Sequence, residues 1–157
     1  MMEPTANEPE LIEADEVVTA VVADVVEMSN MPAFFDQAFT TLAKVLETQA
    51  VHPVGPAFAR HRRPVTDTAD LEVGFPTDRL VTTDGDVRPG SLPGGQIARY
   101  VHDGSFDGLP TAWARLESWI ADQGLAPGDG MWEVYVTEPT PDMDPADLRT
   151  ELNWTLR

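Results

Sequence analysis

The chain is 157 residues long, 42% of them hydrophobic and 24% charged, with 10 basic residues against 27 acidic ones and a net charge of −17. That length suits one domain able to bury roughly 70% of its unfolded surface. The absence of cysteine excludes disulfides, thiolate nucleophiles and thiolate metal sites.

The excess of acid argues against direct nucleic-acid binding, which depends on Lys and Arg neutralising phosphates. A surface of this sign favours cationic partners, and it also simply keeps a protein soluble. No apolar run approaches the ~20 residues of a membrane span, and no secretory signal opens the chain, so a cytoplasmic protein without membrane contact is expected.

Residues 1–15 carry Glu3, Glu8, Glu10, Glu13 and Asp15 with Pro4, Pro9 and no basic residue. Little there can be buried, so a disordered acidic tail is expected, with the folded domain running from 16 to 157. Val17–Val26 holds six valines, the composition of a central strand. Ser29 or Asn30 can then cap a helix with Pro32 in its first turn, and Phe35, Phe39, Leu42 and Leu46 recur at helical spacing to form one apolar face. Val51–Arg63 and Ala69–Phe75 read as the two extended arms of a hairpin, separated by Pro64 and Asp67. Thr82–Asp86 and Pro89-Gly90-Ser91 are turn formers without an apolar period, which reads as a connector.

Beyond it the pattern starts again. Gln96–His102 reads as a strand, and Asp107 can cap a helix ending at Gly124 with the stripe Leu109, Trp113, Leu116, Ile120. Met131–Thr137 and Leu148–Leu156 read as two further strands, parted by Pro139, Pro141 and Pro145. Two strand-helix-strand-strand halves, about 17–77 and 92–157, predict a duplicated α+β domain with an antiparallel sheet and both helices on one side.

Within Met131–Val136, Glu133 and Tyr135 share one strand face and Trp132, Val134 and Val136 the other. The second set makes the better core, which leaves Glu133 and Tyr135 on the opposite, concave face. A carboxylate beside aromatic rings suits a lipophilic cation; the same pair suits general acid/base chemistry, or a solvated Glu beside a rim Tyr. His52, His61 and His102 are far apart and have no metal-ligand spacing, so no metal and no cofactor are expected. His61 shares a face with the small Ala57 and Ala59. His102 is suited to closing the turn into the second helix. Asp70 and Glu72 share a face too, as coincidence allows in so acidic a chain.

Several segments, taken in order, carry a resemblance to a known family: Val54-Gly55-Pro56-Ala57-Phe58-Ala59-Arg60-His61, Asp70-Leu71-Glu72-Val73-Gly74-Phe75-Pro76, Leu92-Pro93-Gly94-Gly95-Gln96-Ile97-Ala98, and His102-Asp103-Gly104-Ser105-Phe106. Leu109 and Trp113, Trp132-Glu133-Val134-Tyr135 with Glu138-Pro139, and Thr150-Glu151-Leu152 complete them. Together they resemble the GyrI-like small-molecule-binding family, which includes effector-binding domains of multidrug-responsive regulators of the AraC and MerR types. The resemblance implies a cleft between the two halves that accepts lipophilic, aromatic or cationic molecules. It makes Glu133 the buried acidic contact, with Tyr135, His61, Phe58, Tyr100 and Trp113 as further ligand-binding candidates. His61 and Phe106 stand where many relatives carry Tyr, so the pocket is less phenolic. With no helix-turn-helix ahead of the family region, a stand-alone member is expected. The resemblance leaves three functions open: a sensor or sequestering protein, a hydrolase of ring-strained metabolites using the Glu/Tyr pair with its catalytic residues unassigned, or a partner of DNA gyrase or of a regulator.

Overall fold

β-Branched residues dominate Val17–Glu27, and this segment forms β2, the central strand of the first half. The computed structural model describes residues 8–63, 66–137 and 142–157. Two compact units account for them: one is Asp15–Gly94, the other the N-terminal stretch up to Ala14 together with Gly95–Arg157. Pro64, Glu138, Pro139 and Pro141 lie outside the described residues, as do residues 1–7 of the expected tail.

In the first unit β2 leads through a 3₁₀ turn into α1 (Met31–Gln49), then β3 (Phe58–His61), β4 (Thr68–Pro76) and β5 (Arg88–Leu92). The strands lie in the order β3-β4-β2-β5, all antiparallel. Pro32 sits in the first turn of α1, where its missing N–H costs nothing. Leu42 and Leu46 of the expected stripe are buried, joined by Ala38 and Val45. Phe39 packs edge-on against Phe75 of β4 at 5.4 Å, so this stripe faces the sheet.

The second unit repeats the plan with β6 (Gly95–Asp103), α2 (Leu109–Asp122), β7 (Pro127–Tyr135) and β8 (Arg149–Leu156). Its strands lie in the order β1-β6-β8-β7, again antiparallel, with β1 spanning Glu10–Ala14. Leu116 and Ile120 are fully buried, and Leu109, Trp113 and Trp119 border their cluster. The fold is therefore α+β and duplicated, each unit carrying one helix. Among the described residues no helix is long and apolar enough to cross a membrane.

Three expectations are corrected. Residues 10–14 are not tail but β1, an edge strand: Ile12 pairs with Ile97, and Glu10 stands opposite Arg99. A charged segment too polar for a core is well suited to an edge, where only one side needs a partner. The connector also contains a strand, since Arg88–Leu92 pairs with β2 as β5. Pro89 is tolerated because an edge strand has no need of its N–H, and Gly90 lies so close to β2 that a Cβ there would sit 2.9 Å from Thr19 Oγ1. Finally, Ser105 rather than Asp107 caps the turn into α2, its hydroxyl accepting the Asp107 N–H at 3.2 Å.

With β1 and β5 included, the duplication becomes an exchange. β1 precedes β2 in the chain but pairs with β6, and β5 precedes β6 but pairs with β2. Each unit thus takes its fourth strand from the segment leading into the other.

Candidate functional site

The antiparallel register of the second unit sets three rows of side chains on the face that carries α2. They run Ala98–Trp154–Met131, Tyr100–Leu152–Glu133 and His102–Thr150–Tyr135 across β6, β8 and β7. Ala98, Tyr100, Leu152 and Trp154 pack there with Ala112, Leu116 and Ile120 of α2. Glu133 and Tyr135 consequently lie on the helix side of the sheet.

This reverses the sequence expectation, which gave that side to Trp132, Val134 and Val136. Trp132 is buried on the other face, opposite Asn153, while Val136 follows the strand and is 48% exposed. Period-two reasoning assumes one wet face. At 132 and 133 both neighbours are buried, at 4% and 7% exposure, so alternation carries no direction there.

Glu133 is held from two elements. The Trp113 indole N–H on α2 donates to Oε1 at 3.1 Å, and the Tyr135 phenol donates to Oε2 at 3.1 Å. Aromatic rings surround the pair. Phe106 meets Tyr135 edge-on at 5.9 Å, and Trp113 meets Trp154 in the same manner at 5.7 Å. Burial pushes the Tyr135 phenol well above the usual range, and the Glu133 charge and the hydrogen bond to it act in the same direction. The phenol therefore remains a donor across the physiological range.

Of the six candidate ligand contacts, four share this face: Glu133, Tyr135, Trp113 and Tyr100. Tyr100 sits one row-mate beyond Leu152 from Glu133, its ring covered by the Arg115 guanidinium at 5.3 Å. Phe58 and His61 belong to β3 in the first unit, and an odd residue offset puts them on opposite faces of that strand. Phe58 is fully buried opposite Gly74, and His61 is half-buried opposite Leu71. Phe106, which the resemblance places in the pocket, joins the site beside Tyr135, whereas Trp154 is an aromatic neighbour that the sequence reading does not include. The Leu152/Trp154 alternation on β8 was the available signal for Trp154.

The other candidates are structural. His102 Nε2 lies 2.9 Å from the Ser105 carbonyl oxygen and closes the turn into α2, as its sequence position suggested. Asp70 is clasped by the Arg62 and Arg63 guanidinium groups. Among the described residues no group of His, Asp and Glu side chains comes together as a metal site.

The duplicated strand-helix-strand-strand fold is that of a small-molecule-binding domain. The chain belongs to the GyrI-like small molecule binding domain family, which matches residues 7–157. The fold is similar to that of EcmrR in its DNA complex, with a TM-score of 0.82 at 17% identity; the likeness covers 98% of this chain but 58% of that one. The isolated EcmrR C-terminal domain gives 0.79 at 16% identity, covering 96% of this chain and 98% of that one. A hydrolase encoded by lin2189 from Listeria innocua gives 0.70 at 12% identity, with 96% and 92% covered. SAV2435, in a structure bound to tetraphenylphosphonium, gives 0.66 at 9% identity, with 96% and 94% covered. No protein with a curated description matches the chain.

Proposed function

We propose that the chain is a cytoplasmic sensor or sequestering protein for lipophilic cationic or aromatic compounds, with Glu133 as its charge contact. The observation carrying this reading is the buried carboxylate oriented by Trp113 and Tyr135, with the Phe106 ring packed against that same Tyr135. Aromatic faces attract a cation through their quadrupoles, and a carboxylate in a desolvated setting adds the charge that selects cations over neutral rings. The tetraphenylphosphonium bound by SAV2435 belongs to that chemical class.

Glu133→Gln tests it, since the amide keeps the size and removes the charge, its oxygen still accepting from Trp113 while its NH2 donates to the Tyr135 oxygen in a reversed bond. A cationic rhodamine should bind about 1–3 kcal/mol more weakly, as for a charge-assisted contact, while a neutral aromatic of similar size is nearly unaffected. Equal losses for both classes would make Glu133 structural.

A second reading, hydrolysis of ring-strained metabolites, draws on the same pair: a phenol kept protonated beside a carboxylate supplies an acid and a base. Product analysis of every bound compound separates the two. Turnover lost in Glu133→Gln with binding intact would give the hydrolase reading the lead.

A further inference from the structure

We propose that Thr150 is a specificity-determining residue of this site: its buried hydroxyl pairs with a hydrogen-bonding group on the ligand, so a hydroxylated lipophilic cation is preferred over a purely hydrocarbon one. The inference rests on the cation reading of Glu133. Thr150 is fully buried, and its Oγ1 meets no hydrogen-bond partner. Buried hydroxyls are rarely left so, because the desolvation cost goes unrecovered.

Its surroundings explain what could recover that cost. Thr150 stands between Tyr135 and His102 in its row. The Tyr135 phenol is directed to Glu133, and His102 Nε2 is directed to the Ser105 carbonyl oxygen. Thr150 is also the diagonal neighbour of Glu133, about 7–8 Å away, which a cation with a short alkyl arm can span. Near it lies the 3₁₀ turn Phe106–Gly108, whose Phe106 ring abuts Tyr135 and is 39% exposed. Gly104 before the turn has φ +118°, and Gly108 packs so tightly on His102 that a Cβ would lie 2.7 Å from its ring. Phe106, carried on the turn rather than on a strand, packs against Tyr135, the row-mate of Thr150. Thr19 Oγ1, a second buried hydroxyl without a partner, has Gly90 pressed against it and no charged or aromatic neighbour in its row.

Two phosphonium probes of equal shape test this: (hydroxypropyl)triphenylphosphonium and butyltriphenylphosphonium, titrated calorimetrically into the full chain. Wild type should prefer the hydroxylated probe about fivefold, the worth of one neutral hydrogen bond. Thr150→Val should erase that preference while keeping the affinity for the butyl probe, and Thr150→Ser should retain it. Equal wild-type affinities overturn the inference alone, as does a preference that survives in Thr150→Val. If neither probe binds wild type, the cation reading falls and this inference with it. The wild-type comparison decides even if the valine variant fails to fold.

Discussion

Trp113 on α2 and Glu133 on β7 are twenty residues apart in the chain, and the indole N–H of one reaches the carboxylate of the other at 3.1 Å. The bond ties the helix to the outer strand of its unit at the point where the carboxylate is buried. Trp113→Phe keeps an aromatic ring against Trp154 but removes the donor. Stability should fall by about 1.5–3 kcal/mol, as for a lost hydrogen bond to a charged group, with the urea midpoint lowered and the m-value unchanged. Rhodamine binding should weaken as well, because the carboxylate loses one of the groups that orient it. An unchanged midpoint would show that the bond contributes nothing in solution.

The N-terminal strand gives a second expectation. Deleting residues 1–15 removes the five-residue ladder on β6, the buried Pro9 and the Ile12–Ile97 pair. It also leaves the β6 edge without its cover. The melting temperature should drop by several degrees, at about 2–4 °C per kcal/mol for a domain of this size. A truncated chain melting like the full one would make β1 an ornament rather than part of the fold.

Gly74 marks a close approach of β4 to the β2 backbone in the first unit. A Cβ at this position would lie 1.9 Å from the Ala20 carbonyl oxygen of β2, and backbone cannot yield as a flexible side chain can. Gly74→Ala should therefore force β2 and β4 apart and cost about 3 kcal/mol or more, the upper range for overpacking. Circular dichroism melts report it. A variant with wild-type Tm would mean that the two strands separate at little cost.

Much of this architecture is legible in the residues themselves. Leu42 with Leu46 and Leu116 with Ile120 announce two helices, because burial of one face requires their spacing. The valines of β2 announce a central strand for the same reason. The edge strands escape such reasoning. Glu10–Ala14 and Arg88–Leu92 are polar or contain Pro, and they become strands only because β6 and β2 offer unpaired edges. At the site, the pairing of Glu133 with Tyr135 follows from strand geometry, whereas its direction does not. Trp132 and Glu133 are both buried, and the residue that decides between the faces, Trp113, comes from a helix twenty positions earlier.

Tyr135 gives the site a measurable signature at high pH. Its phenol is raised well above 10.0, first by burial and then by the neighbouring Glu133 charge. The folded state therefore holds this proton more tightly than the unfolded chain, whose tyrosine ionises near its ordinary value of about 10. The resulting stability is fully present below that value and is lost as pH climbs from there toward the folded pKa. Wild type should lose stability steeply in that alkaline window, and Tyr135→Phe should show a flatter profile there. The chain has only two tyrosines, so in Tyr100→Phe the phenolate absorbance reports Tyr135 alone. That absorbance should stay absent beyond the ordinary tyrosine range and then rise together with the loss of structure. Ionisation at the ordinary value, ahead of unfolding, would show that the phenol is neither buried nor bonded to the carboxylate.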